Sequence, residues 1–165
     1  MRAQDGFDRI AETAHPGWFS GAFVALRVAV GLQFLLSGFG KVMSDWSAAS
    51  YLAAADGPFA EWFQSLSGVA FVDGLNAWGQ LLIGVAFVVG LGVRPAAIGG
   101  AVMMVLYYLA HFTENIAHGF IEEHVILAII FVVFAAGGAG NVLGLNAVAM
   151  GALRKPAAAV RFLLG

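Results

Sequence analysis

Cysteine is absent from all 165 residues. That removes disulfides, thiolate metal sites, iron–sulfur clusters and dithiol exchange together. Charge is scarce as well: charged residues make up 11% of the chain, where a soluble domain carries about 25%. With a net charge of −2 and no basic stripe, nucleic acid is excluded as a partner. No haem c, flavin or iron–sulfur motif is present. Met1–His15 has no apolar run, so no cleavable signal peptide is expected. What fills the chain instead is hydrocarbon: 61% of residues are hydrophobic, against about 45–50% in soluble domains, and the mean hydropathy is +0.86. The class is an all-α integral membrane protein whose first partner is the lipid bilayer, with residues 1–165 as one membrane domain.

Four apolar segments predict a four-helix transmembrane bundle, with spans near 19–42, 76–91, 96–112 and 122–136. The first is long enough for a hydrocarbon core of ~30 Å at ~1.5 Å per residue. Asp73 and Asn76 suit the N-cap of the second helix, and Pro95 suits the first turn of the third. The fourth stops at Gly137-Gly138-Ala139-Gly140. Arg2, Arg9, Arg94, Arg154, Lys155 and Arg161 all fall on the side that holds both termini, and Lys41 alone flanks the other. Positive residues favour the cytoplasm, so both termini and the tail 141–165 are expected there, in a cell inner membrane. Loop 44–75 then faces outward. Within it, Asp45–Leu66 mixes Trp46, Tyr51, Phe59, Trp62 and Phe63 with polar residues and breaks at Gly57-Pro58. It reads as an interfacial amphipathic segment, as does the basic Leu145–Leu164.

The strongly polar residues fall at one level. Lys41 closes the first span, Gln80 lies a turn into the second, Tyr107, Tyr108 and His111 close the third, and Glu122, Glu123 and His124 open the fourth. Ionisable groups are costly in hydrocarbon, so such a layer is a candidate site. Lys41, His111, Glu123 and His124 are its candidate catalytic groups. Lys41 compensates an anion, Glu123 and His124 exchange protons, and Gln80, Tyr107 and Tyr108 supply hydrogen bonds. A quinone under reduction needs that set, with apolar walls for its tail. On the first helix Arg27, Gly31, Phe34, Gly38 and Lys41 share one face. Gly31 and Gly38 would let a neighbouring helix approach closely, and Arg27 is read as facing the bundle rather than snorkelling.

His111, Glu114, His118 and Glu122 step at i, i+3, i+7 and i+11. If the third helix ran on past Thr113, they would form a stripe able to bind a metal or relay protons. Gly119 and the surrounding loop composition favour a solvated loop, so no metal site is expected. A haem held between His111 and His124 is the lesser variant.

The order of motifs also carries a resemblance. Arg27-x3-Gly31…Phe34-Leu-x-Ser37-Gly-x-Gly-Lys41-Val, Leu82-Ile-Gly84…Gly90-Leu-Gly92-Val-Arg94 and Glu123-His124-Val-Ile-Leu-Ala128 resemble successive helices of the DoxX/DoxD-like membrane proteins. The likeness spans about Val24–Asn146. It implies a four-helix bundle and kinship to the membrane subunit of thiosulfate:quinone oxidoreductase, with a diffusible quinone as cofactor and a second redox subunit as partner. It further implies that Arg27, Lys41, Arg94, His111, Glu123 and His124 match recurrent polar positions, Arg27 and Arg94 joining the substrate-binding set. Relatives often carry Glu where this chain has Gln80. Two other readings stand beside it: a non-catalytic anchor or assembly subunit of a redox complex, and a small-solute transporter, which four spans form only as an oligomer.

Overall fold

The computed structural model describes residues 17–117, 119–140 and 144–146, and in them the chain is almost wholly helical. The elements are α1 (Gly17–Val42), α2 (Ala49–Ala53), α3 (Ala60–Ser65), α4 (Ala70–Val89), α5 (Val93–Ala110), α6 (Phe112–Ala117) and α7 (Glu123–Ala136), with a 3₁₀ turn at Gly57–Phe59. Helices α1, α4 and α5 are long and apolar enough to cross a membrane. At 14 residues, α7 reaches only ~21 Å. The protein is therefore an all-α membrane protein with three such helices and a shorter fourth packed among them.

Helix α4 starts six residues before the expected Asn76, because the two residues read as its caps are used elsewhere. Asp73 Oδ1 accepts from the Ala48 amide at 2.8 Å, and Asn76 Oδ1 accepts from Lys41 Nζ at 2.8 Å. Both tie α4 to its neighbours, while Val69, in extended backbone, precedes its first turn. At the other end Gly90, left-handed at φ +74, stops the helix by donating to the Ala86 carbonyl, a conformation glycine adopts without penalty. Gly92 then leads into α5 with Pro95 in the first turn, as expected.

Helix α5 ends one residue before His111, short of the expected Phe112. Asp56 causes the stop. Its backbone amide takes the Ala110 carbonyl at 2.9 Å, and its Oδ1 accepts from the Thr113 amide at 2.8 Å. The segment 45–66 forms short helical turns broken at Gly57-Pro58, and it folds over the ends of α4 and α5. Ala48, Leu52, Ala55, Phe63 and Ala110 make a small core of their own there. Most of the expected C-terminal amphipathic segment, all but Leu145 and Asn146, lies outside the described residues.

In lipid the hydrophobic effect does not drive helices together, so close backbone approach has to. α1 lies along α4 with Gly38 against the backbone of Leu81, Gly84 against that of Leu35, and Gly31 against Phe87 and Val88. A similar approach sets Gly100 of α5 against Phe131 of α7. Phe131 also stands edge-on to Phe34 at 5.1 Å and to Phe87 at 5.3 Å, and Phe134 lies 5.1 Å from Phe23. Edge-on ring pairs contribute roughly 0.5–1.5 kcal/mol each beyond their area. They knit α7 to α1 and α4. α4 and α5, by contrast, diverge above their shared turn.

Candidate functional site

At the Lys41 end, five side chains from three helices form one hydrogen-bonded chain. Ser37 Oγ donates to Gln80 Oε1 at 2.9 Å; Gln80 Nε2 donates to the Tyr107 hydroxyl at 3.1 Å. Asn76 Nδ2 donates to that same hydroxyl, and Lys41 Nζ donates to Asn76 Oδ1. An ammonium has donors only. Lys41 therefore fixes the Asn76 amide with its oxygen inward and its nitrogen toward Tyr107. With both lone pairs of Tyr107 accepting, its own O–H is left for a further acceptor, and among the described residues none takes it.

Lys41 is half-buried and has no carboxylate partner among the described residues. Its Nζ sits 4.2 Å from the Trp46 ring centroid and 6.0 Å from that of Tyr107, within cation–π range of both faces. Gln80, only 5% exposed, has both ends of its amide satisfied, as a buried polar group requires.

His124 reaches this chain through Tyr107, their rings edge-to-face at 5.7 Å. Glu122 caps α7 by accepting from the His124 amide at 3.1 Å. The same oxygen lies 2.6 Å from His124 Nδ1. A carboxylate accepts only, so Nδ1 carries hydrogen and Nε2 of the neutral ring is the free base. Glu123 is exposed at the start of α7. On the other flank, His111 Nε2 donates to the Tyr51 carbonyl at 3.2 Å, its ring 4.3 Å from that of Tyr51. Tyr51 in turn donates to the Tyr107 carbonyl at 3.3 Å, the two rings 5.9 Å apart. Tyr51 stands in the loop beyond the spans. Burial pushes its phenol up to about 12, and the nearby Tyr107, Glu122 and Glu114 add to the rise.

A family model, DoxX, matches residues 22–113. The chain belongs to the DoxX family. No curated protein and no solved structure matches it. The DoxX match covers α1, the 45–66 segment, α4 and α5, hence every member of the Ser37–Gln80–Tyr107–Asn76–Lys41 chain. Glu122, Glu123 and His124 lie beyond it.

Of the residues expected in the DoxX polar layer, the structure brings together Lys41, Gln80, Tyr107, His111 and His124. Tyr108 is buried beside them but turns away, donating to the Phe120 carbonyl at 3.3 Å. Arg27 and Arg94 stand apart. Arg27 is 2% exposed and faces the bundle as read, yet it lies 14 residues or ~21 Å down α1 from Lys41. There it donates to the Ala139 carbonyl, and Arg94 Nε donates to the Ala135 carbonyl at 3.0 Å. Both arginines fasten the opposite end, together with Asn146, which links to Gly90 and Gly92.

Among the described residues the expected continuous helix carrying the His–Glu stripe is interrupted. The break at His111 turns the helix, leaving His111 Nδ1 3.8 Å from Glu114 Oε2, and His118 lies outside the described residues. Glu122, Glu123 and His124 instead bring one donor atom each within 4.8 Å of one another. Within this group His124 Nδ1 is hydrogen-bonded to Glu122. Asn76 and Ser37 escaped the sequence reading. Asn76 lies four residues before Gln80, on one helix face with it; treating Asn76 as a cap concealed that.

Proposed function

We propose that the protein is a membrane oxidoreductase subunit that passes electrons from a small reductant, thiosulfate or a similar anion, to membrane quinone. The observation that carries this reading is the Tyr107 hydroxyl: two amide donors occupy its oxygen, and among the described residues nothing accepts its proton. A quinone carbonyl is an acceptor for it. The residues suit that group, since the donor sits where a largely apolar pocket meets the polar layer. Tyr107 and Asn76 would hold the head, and Lys41 would favour negative charge close by.

When bound, quinone supplies an acceptor for two electrons and two protons. Two thiosulfate ions joining as tetrathionate release two electrons, so the balance closes with protons from water. His124, held as the Nδ1–H tautomer by Glu122, passes a proton at Nε2 beside Tyr107. The exposed Glu123 stands next to it. In this reading α7 spans as the fourth helix, the 45–66 segment lies at the outer interface, and both termini are cytoplasmic.

Purification from membranes, quinone extraction and thiosulfate-dependent quinone reduction test the proposal. Bound quinone and turnover lost in Lys41→Ala and His124→Ala are the expected results. Turnover that survives both variants and resides in a co-purifying subunit would instead make this chain an anchor. Neither quinone nor turnover, with or without a partner, sinks the enzyme reading.

A further inference from the structure

α4 and α5 meet at their shared turn and again where Asn76 and Gln80 bond to Tyr107, and between them the helix surfaces leave space. The gap between them is a groove of about 520 Å³. It begins at Pro95 and Ala96, passes Asn76 and Tyr107, and closes under Val72, Ala110 and the 45–66 segment. From Pro95 to Tyr107 is 12 residues, ~18 Å along α5. That length leaves room for a hydrocarbon tail lying between the two helices.

Three features define what fits. Gly79 and Gly99 face the groove where larger residues would fill it, and a Cβ on Gly99 would meet nothing within 4 Å. The rim residues Leu75, Leu82 and Val102 are exposed, so the groove opens sideways to lipid rather than along the bundle axis. Its far end is continuous with the polar chain, at the amide and phenol that hold a spare donor. Tyr51, Trp62 and Phe63 roof that end.

We propose that this groove is the lateral binding channel for a single-tailed, flat-headed membrane amphiphile, an isoprenoid quinone, whose head rests against Tyr107 and Asn76 and whose tail lies between α4 and α5. The inference rests on the reading under Proposed function and adds to it the route of entry and the tail site. Lipid is as apolar as the groove, so the walls give little net attraction. Affinity comes from the polar end, and the groove supplies the surface along which a tail lies. The short helices α2 and α3 act as its roof.

The test is binding in nanodiscs, with quenching of tryptophan fluorescence as the signal, Trp62 being part of the lining. Two probes are used, a decyl-tailed benzoquinone and its tailless counterpart. Gly99→Phe, with Val102→Phe as a second filler at an exposed rim position, is expected to raise Kd for the tailed probe about tenfold. The tailless probe should bind as before, and Tyr107→Phe should weaken both. If the fillers leave the tailed probe unaffected while Tyr107→Phe weakens both, the tail lies elsewhere; this inference falls and the quinone reading stands. Equal weakening of both probes by the fillers also overturns it, because the polar end itself was disturbed. If wild type binds neither probe, the quinone reading fails and the channel with it.

Discussion

Lys41 decides which way the Asn76 amide faces, and through it what Tyr107 can offer. Replacing Gln80 by Glu tests this dependence directly. An ionised Glu has no N–H for Tyr107 and accepts from it instead, so the phenolic proton would turn into the protein. A tailless quinone should then bind about tenfold more weakly, the worth of one hydrogen bond; unchanged binding would show that the Tyr107 proton is not what the ligand uses. Tyr51 carries a prediction of its own. Its phenol ionises near 12 in the folded protein and near 10 when unfolded. Above about 10 the unfolded chain sheds a proton that the folded one keeps, so the contribution is whole below that pH and is lost as pH climbs through about 12. Spectrophotometric titration should find one phenolate forming near 12 in wild type and missing in Tyr51→Phe. At this scale the sequence was a partial guide. Polar residues in apolar runs were plain to see, which found Lys41, Gln80, Tyr107 and His124. Asn76 and Asp73 were hidden because a short polar residue near a helix start suits a cap equally well, and only a neighbouring helix decides its partner.

Between elements, the contact between α1 and α4 is the one most sensitive to added bulk. Gly38→Leu drives a side chain into the Leu81 backbone and should destabilise by roughly 1–3 kcal/mol. Gly40→Leu, two residues on, meets nothing within 4 Å and should be silent. Thermal unfolding in detergent compares them; equal melting would mean that the close approach does not hold the pair together. The shared face of Gly31, Gly38 and Arg27 followed from helical periodicity alone, because that signal is local. Helix ends were less legible. α4 gained a turn and a half at its start, and α5 lost its last residues to Asp56, a partner 54 positions before Ala110 (the bond joins Asp56 to Ala110). No local window contains such a bond.

For the whole molecule, the lack of cysteine becomes an experimental convenience. Single cysteines introduced at Glu61 and at Leu91, both exposed, need no background removed. On intact cells an impermeant maleimide should label Glu61→Cys and should reach Leu91→Cys only after lysis, if the charge bias sets the orientation. The reverse pattern would invert the bundle and place the polar layer in the cytoplasm. Membrane class was readable because composition and hydropathy are sums over the chain. The charge bias already set Arg94 on the side opposite Lys41; joining Arg27 and Arg94 to the same binding set came from the family motifs, which record order and not depth.

Arg27 has a consequence for how the protein is made. The carbonyl it donates to belongs to Ala139, 112 residues later in the chain. At about 5–20 residues per second, the ribosome needs about 6–22 s to deliver it. Throughout that interval the first helix holds an arginine whose buried seat does not yet exist, and an arginine in open hydrocarbon is costly. Until then the guanidinium can stay hydrated by reaching the headgroups. The stretch that follows the last described long helix thus completes a seat for a residue of the first.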